Sequence, residues 1–145
     1  MQIGIPAEIL AGETRVAATP ETVKKFAALG YKLVVQKGAG IASSCIDKAY
    51  EEAGATIAAT AADTYKDSDV VLKVAAPTAE EVPLLKQGAI VLAAFAPHQN
   101  DNLEAYAARG LTCVAMELIP RITRAQSSDI LSSQASLAGY KAVLM

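Results

Sequence analysis

Short apolar runs alternate with amphipathic segments along the whole chain of 145 residues. Six runs are rich in Val, Ile, Leu and Ala, at 3–6, 32–36, a weaker one at 56–58, 70–74, 90–94 and 112–116. Most of them lack a strict alternation with polar residues, which is the pattern of strands buried on both faces. The pattern therefore predicts a parallel sheet with helices on both sides.

The segments between the runs carry signals for helix starts and stops. Thr19 is a predicted N-cap, Pro20 follows it at the first helical position, and Gly30 ends a helix over 22–29. Similar signals predict four further helices. Asp47 is the predicted N-cap of a helix over 48–53, and Thr78 with Glu81 begins a helix toward residue 85. Asp101 is the predicted N-cap of a helix over 102–109, and Ser127 or Ser128 that of the last helix.

Strands and helices thus alternate along the chain, and parallel strands joined by helices cross over right-handedly. The predicted fold class is α/β, a single domain with a three-layer, doubly wound parallel sheet of the Rossmann-like or flavodoxin-like type. The last helix runs to residue 145 without a stop signal, and it carries an apolar stripe that is expected to need a partner. The stripe consists of Leu131, Ala135, Ala138, Ala142 and Met145.

Charge and cysteine content narrow the classes of function. The net charge is −2, with 13 basic residues scattered among 15 acidic ones, so no basic field attracts nucleic acid or acidic lipid. Two cysteines and one histidine are too few for a disulfide framework or a zinc site, which favours reduced thiols in the cytoplasm. The N-terminus does not resemble a signal peptide, and no run approaches the ~20 apolar residues of a membrane span.

Two features could belong to a nucleotide or catalytic site. Gly38-Ala39-Gly40 begins like a dinucleotide fingerprint, but Ser43 stands at the third glycine position, so a tight turn is the favoured interpretation. His98 follows the fifth predicted strand, at the edge of the sheet where α/β proteins bind ligands, and could be an acid/base group or a solvated loop residue.

Two basic residues also lie near the same predicted edge. Arg15 could hold a carboxylate or a phosphate, or it could pair with Glu8 or Glu13 in its own loop. Lys73 lies in an apolar strand, where a lysine is unusual. We expect its side chain to reach a cleft or an ion partner.

Polar side chains are concentrated directly after the last apolar run, which ends at Ile119. Arg121 and Arg124 offer cationic forks, Gln126 can donate and accept, and Asp129 accepts only. Such a mixed set suits the carboxamide and ribose of nicotinamide riboside. Considered as residues alone, a self-satisfied loop is the favoured interpretation, with Asp129 capping the last helix and pairing with Arg121 or Arg124.

The stretch 117-ELIPRITRAQSSDILSSQASLAGYKAV-143 resembles the signature of the NAD(H)-binding component of the proton-translocating NAD(P) transhydrogenases. The stretches 3-IGIPAEILAGETRVAATPETVKKFAALGY-31, 36-QKGAG-40 and 71-VLKVAAP-77 are similar to the same family and to the related alanine dehydrogenases. The resemblance covers the whole chain, and the motif over 121–140 is specific to the transhydrogenases.

The resemblance implies two segments and a set of site residues. Residues 1–126 correspond to the family's N-terminal α/β domain, and 127–145 to the start of a helix that leads to a Rossmann domain with the glycine fingerprint. Arg121, Gln126 and Asp129 correspond to the loop beside the nicotinamide, both as catalytic and as cofactor-binding residues, with Ser132 as a further cofactor contact.

The resemblance also implies an enzyme of which this chain is one component. NAD(H) is the cofactor of the full-length protein, NADP(H) is held by a partner component, and hydride passes directly from NADH to NADP⁺. Membrane components that pump protons would hold the protein, as a homodimer, at the cytoplasmic face of the inner membrane. We expect the 145-residue chain to be inactive alone, and to bind neither metal nor nucleic acid nor insert into the membrane directly.

Two alternatives remain. Alanine dehydrogenases hold pyruvate with an arginine that matches Arg15, a lysine whose position here is Ala75, and a histidine whose position aligns with Pro97, with His98 shifted by one. Without that lysine and histidine, alanine dehydrogenase is the weaker enzyme hypothesis. A non-catalytic α/β ligand-binding or dimerisation module is the other.

Overall fold

A computed structural model describes the backbone of all 145 residues and every side chain except that of Ser133. Its centre is a six-stranded, all-parallel sheet in the order β3-β2-β1-β4-β5-β6. The strands are β1 Gln2–Ile5, β2 Lys32–Gln36, β3 Ala55–Ala58, β4 Val70–Ala75, β5 Ile90–Ala94 and β6 Thr112–Ala115. All six predicted strands are thus confirmed to within one residue at each end, and so is the α/β fold class.

The helices are α1 Pro20–Ala28, α2 Asp47–Glu52, α3 Ala61–Tyr65, α4 Leu103–Ala108 and α5 Ile130–Val143. Short 3₁₀ turns occupy Ile41–Ser43, Val82–Leu84, Met116–Leu118 and Thr123–Ser128. α3 was not predicted, because five residues are too few for a helical repeat to show. Its start is nevertheless marked by Thr60, whose hydroxyl accepts the N–H of Asp63 at 3.1 Å.

The helix-start predictions succeeded in one case and failed in others. Thr19 does cap α1, accepting from the N–H of Thr22, and Gly30 has the left-handed φ of +86° that ends it. The Asp47 prediction is wrong, because this carboxylate turns back to accept the N–H of Gly38 at 2.8 Å. Asp101 does not cap either: α4 has Asn102 at its N-cap, without a side-chain bond.

Two further cap predictions are corrected. The helix predicted after Thr78 is only the Val82–Leu84 turn. Half of the predicted capping pair forms, because Glu81 accepts the N–H of Thr78 at 2.9 Å. The hydroxyl of Thr78 is buried and has no partner among the described residues. The last helix is capped by Asp129 and not by the serines before it, which lie in the 3₁₀ turn.

Two apolar clusters lie on opposite faces of the sheet. α1 and α2 cover one face, where Ile5, Val23, Val35 and Tyr50 are fully buried. α3, the Val82–Leu84 turn and α4 cover the other face, where the cluster includes Tyr65, Val71, Leu85, Val91 and Tyr106. Adjacent residues of β4 alternate between the clusters, with Val70 and Leu72 packed against the first and Val71 in the second, so this strand is covered on both sides as its apolar pattern predicted. The prediction is wrong for the edge strand β6, where residues 112–114 are exposed.

Gly4 sets how closely α3 can approach β1. A Cβ atom at this position would lie 2.9 Å from the carbonyl oxygen of Thr64 and 2.5 Å from Oγ of Ser68. We expect Gly4→Ala to lower the free energy of unfolding by about 1 to 3 kcal/mol, because the backbone of α3 must move. Gly139→Ala is the matched control, since its Cβ would meet nothing within 4 Å; equal denaturant midpoints for the two variants would contradict the contact.

Candidate functional site

The strand order reverses between β1 and β4, and this is where doubly wound sheets open the crevice that binds ligands. β1 pairs with β4 only at Ile3–Val70 and Gly4–Val71, whereas β4 continues to Ala75. The two central strands therefore separate at their carboxyl ends. The residues that enter this gap define one portion of the candidate site.

A buried ionic cluster lies beside this gap. The ammonium of Lys73 donates to Oε1 of Glu81 at 2.7 Å and lies 3.7 Å from Oε2 of Glu8. The side chains of Lys73, Glu8 and Glu81 are only 1%, 3% and 7% exposed. Lys73 thus has the ion partner that its place in an apolar strand predicted.

Hydrogen bonds connect each carboxylate of the cluster to further groups. Glu8 accepts the N–H groups of Val74 and Ala75 at 2.6 and 3.3 Å, where the register between β4 and β5 is irregular. The hydroxyl of Tyr65 donates to Glu81. Burial, followed by the hydrogen bond to Glu81, raises the pKa of Tyr65 far above its ordinary value, so its hydroxyl remains a donor.

Arg15 is paired inside its own loop. Its Nε and Nη2 atoms donate to the two carboxylate oxygens of Glu13 at 2.7 and 2.6 Å. The Arg15 hydrogen bond is the largest cause that lowers the pKa of Glu13, to about 2. Of the alternatives that the sequence left open, the pair with Glu13 is the one that forms, although the Arg15 side chain remains 53% exposed.

The Gly38-Ala39-Gly40 segment is a tight turn, as favoured from the sequence. Gly38 has a φ of +78°, and its N–H is taken by Asp47. A Cβ atom at Gly40 would lie 2.6 Å from the carbonyl oxygen of Cys45. His98, the other isolated candidate, is exposed and forms no hydrogen bond or ion pair with the residues described.

A cleft of about 670 Å³ lies between α5 and the carboxyl ends of β4 and β5. Its walls are mostly apolar, with Leu72, Leu92 and Leu131 among them, and Arg15 lies at its rim. Glu117 also lines it: one oxygen accepts the N–H of Ala96, and the other is buried without a partner among the residues that the structure describes.

Glu117 was not among the candidates predicted from the sequence. Its position directly after β6, at the same edge as the other strand ends, is the signal that could have drawn attention to it. Its bond to Ala96, which has a left-handed φ of +45°, joins the loop after β5 to the segment that precedes the polar loop.

The polar loop itself forms the 3₁₀ turn Thr123–Ser128 followed by α5. Asp129 accepts the N–H of Leu131 at 2.9 Å and the hydroxyl of Ser132 at 2.7 Å. The Ser132 hydrogen bond is the main cause that lowers the pKa of Asp129, and the charge of Arg121 contributes. The structure thus brings Asp129 and Ser132 into contact, with Arg121 close enough to act electrostatically.

Arg121, Arg124 and Gln126 are exposed, and their side chains form no hydrogen bond or ion pair with any residue that the structure describes. The prediction that the polar side chains of the loop bond only within the loop is therefore confirmed for Asp129, which caps α5, but is wrong for Arg121, Arg124 and Gln126. Donors and an amide oxygen are left facing outward beside an ionised carboxylate. Such a surface can bind a polar group from outside the chain.

Two kinds of feature are absent from the described residues. None of their helices is both long and apolar enough to cross a membrane. No group of three or more His, Cys, Asp or Glu side chains among them could hold a metal ion.

Residues 4–138 match the protein family described as "Alanine dehydrogenase/PNT, N-terminal domain". The chain is 51% identical to the NAD(P) transhydrogenase alpha subunit, first portion, of Rhodospirillum rubrum, over 99% of this chain and 39% of that protein. It is 33% identical to an alanine dehydrogenase of Methanococcus maripaludis, over 99% of this chain and 38% of that protein.

The chain is similar to solved structures from the same two groups of proteins, transhydrogenases and alanine dehydrogenases. A crystal structure of a transhydrogenase from Sinorhizobium meliloti superposes with a TM-score of 0.93 and 50% identity, over 99% of this chain and 41% of that one. An L-alanine dehydrogenase superposes with a TM-score of 0.79 and 27% identity, over 86% of this chain and 34% of that one. The chain spans about two fifths of the length of the Rhodospirillum relative.

Proposed function

The chain belongs to the alanine dehydrogenase/PNT N-terminal domain family, and we propose that it is the first domain of the NAD(H)-binding component of a proton-translocating NAD(P) transhydrogenase. The observation that carries the proposal is the 51% identity to a transhydrogenase subunit over nearly the whole chain, against 33% to an alanine dehydrogenase. Residues 1–126 are the domain, and 127–145 begin the helix toward a Rossmann domain.

In this proposal the chain supplies one wall of the site where hydride passes from NADH to NADP⁺. The two nicotinamide rings supply that chemistry when they are bound, so no protein nucleophile or base is required. The residues of this chain orient one ring and keep water out. NADP(H) is held by a partner component, and the proton path lies in membrane components that bring the assembly, with this component as a homodimer, to the cytoplasmic face of the membrane.

The exposed polar loop fits the nicotinamide end of NAD(H). The side chains of Gln126 and Arg121 form no hydrogen bond to the described residues, so an amide group and a guanidinium are available to a carboxamide. Asp129 is held ionised by its lowered pKa, and each of its oxygens retains accepting capacity for a ribose hydroxyl. Ser132 donates to Asp129 and fixes its orientation.

The 145-residue chain should bind NADH weakly when tested by isothermal titration. The loop contacts only one end of the dinucleotide, while the adenosine and pyrophosphate sites belong to the Rossmann domain. A dissociation constant below about 1 µM, near −8 kcal/mol of binding free energy, would contradict this division of the site.

The two enzyme hypotheses are separated by paired assays of the full-length protein. We expect reduction of an NADP⁺ analogue by NADH when the NADP(H)-binding partner is present, and no oxidation of NADH by pyruvate and ammonia. The reason lies in Ala75, which has no cation to offer a carboxylate at the position of the dehydrogenase lysine. The opposite pair of results would favour alanine dehydrogenase, and the absence of both activities would favour a non-catalytic module.

A further inference from the structure

The carboxylate of Glu8 lies where this fold usually receives its ligand. The crevice between the ends of β1 and β4 is the reversal point of the strand order. Two N–H groups at the end of β4, those of Val74 and Ala75, bond to the Glu8 carboxylate. The side chain of Glu8 therefore fills the gap that β1 leaves when it stops pairing with β4 after Gly4.

The groups around this carboxylate are those of an anion-binding site. Two neighbouring backbone N–H groups converge on it from an irregular strand end, and a buried ammonium lies 3.7 Å away. Converging N–H groups with a fixed cation, shielded from water, are the usual means of holding a carboxylate or a phosphate in proteins. The second carboxylate of the cluster, Glu81, holds Lys73 in place from the other side at 2.7 Å.

We propose that the carboxylate of Glu8 permanently occupies this anion-binding site, which lies where the strand order reverses, and thereby excludes free carboxylates and phosphates from it. It also joins the loop after β1, which leads to Arg15, to the end of β4. The proposal does not depend on hydride transfer, because it concerns the occupancy of the crevice.

Removing the carboxylate and supplying a small one from solution tests the proposal. In the full-length protein, Glu8→Ala should lower the melting temperature by on the order of 10 °C, since two N–H groups lose their acceptor and the buried ammonium of Lys73 keeps only one of its two carboxylates. Sodium formate should then raise the melting temperature saturably and recover at least half of the loss. Sodium chloride at the same ionic strength should not.

The controls are the wild type and Glu8→Gln, which keeps the side chain in the crevice. Neither should respond to formate beyond the response to chloride. If Glu8→Ala does not fold, refolding from denaturant with formate or with chloride replaces the melting measurement, and recovery in formate alone supports the proposal. It is overturned by a folded Glu8→Ala without a formate-specific shift, by refolding that formate never restores, or by an equal shift in a control.

Discussion

Lys73→Ala is expected to destabilise the fold by about 3 to 5 kcal/mol, which lowers the melting temperature by on the order of 10 °C. The substitution leaves the carboxylates of Glu8 and Glu81, 3% and 7% exposed, without their shared cation. Breaking a buried ion pair from one side is costly because the remaining charge stays out of water. Denaturant unfolding followed by circular dichroism measures the loss.

Lys86→Ala is the matched surface control. Lys86 contacts Asp69 at 2.5 Å, but the two side chains are 45% and 40% exposed. An exposed pair of this kind contributes about 0 to 1 kcal/mol. If Lys73→Ala lowered the free energy of unfolding no more than Lys86→Ala does, the buried cluster of Lys73, Glu8 and Glu81 would not stabilise the fold.

Arg121→Ala and Asp129→Ala are expected to slow hydride transfer in the full-length protein by about 10- to 100-fold. NADH affinity should change by less than about threefold, because most of the binding energy comes from the rest of the dinucleotide. The physical reason is orientation: a misplaced ring reacts slowly even when it stays bound. Stopped-flow measurement of transfer to an NADP⁺ analogue, beside an NADH titration, gives both quantities.

Two variants separate a contact with the nucleotide from a structural effect. Asp129→Asn keeps an acceptor for the N–H of Leu131, as an N-cap should, but removes the charge. If Asp129 acts on the nucleotide through its charge, this variant is slow as well; if it acts only as a cap, this variant is fast. Arg124→Ala, in the 3₁₀ turn Thr123–Ser128 that lies between Arg121 and Asp129, should leave the transfer rate within about twofold.

Much of the fold could be predicted because the signals are local. Most strands are continuous apolar runs such as 90–94, and such runs are enough to imply a parallel sheet covered by helices. The strand order was left open between two doubly wound types, since pairing depends on contacts between distant segments. The Asp47 prediction failed for a related reason: its carboxylate found a distant N–H, that of Gly38.

The candidate site, too, could be predicted from the sequence only in part. The polar loop stands out in the sequence, and the resemblance assigned its residues before the structure showed Arg121 and Gln126 exposed. Glu8 was considered only as a partner for Arg15, because nothing in the sequence places it beside Lys73 and the end of β4. The place of Glu117 after β6 could have marked it as a candidate, but its bond to Ala96 could not be predicted, since it joins two separate loops.

The most direct test of the proposed function follows deuterium from NADH labelled at C4 to an NADP⁺ analogue in a single turnover, for the full-length wild type and for Arg121→Ala. We expect the label to reach the product without exchange with water in both. The variant should transfer it at least about tenfold more slowly at an unchanged NADH affinity. Hydrogen from the solvent in the product, or equal rates for the two proteins, would contradict a loop that positions a nicotinamide for direct hydride transfer.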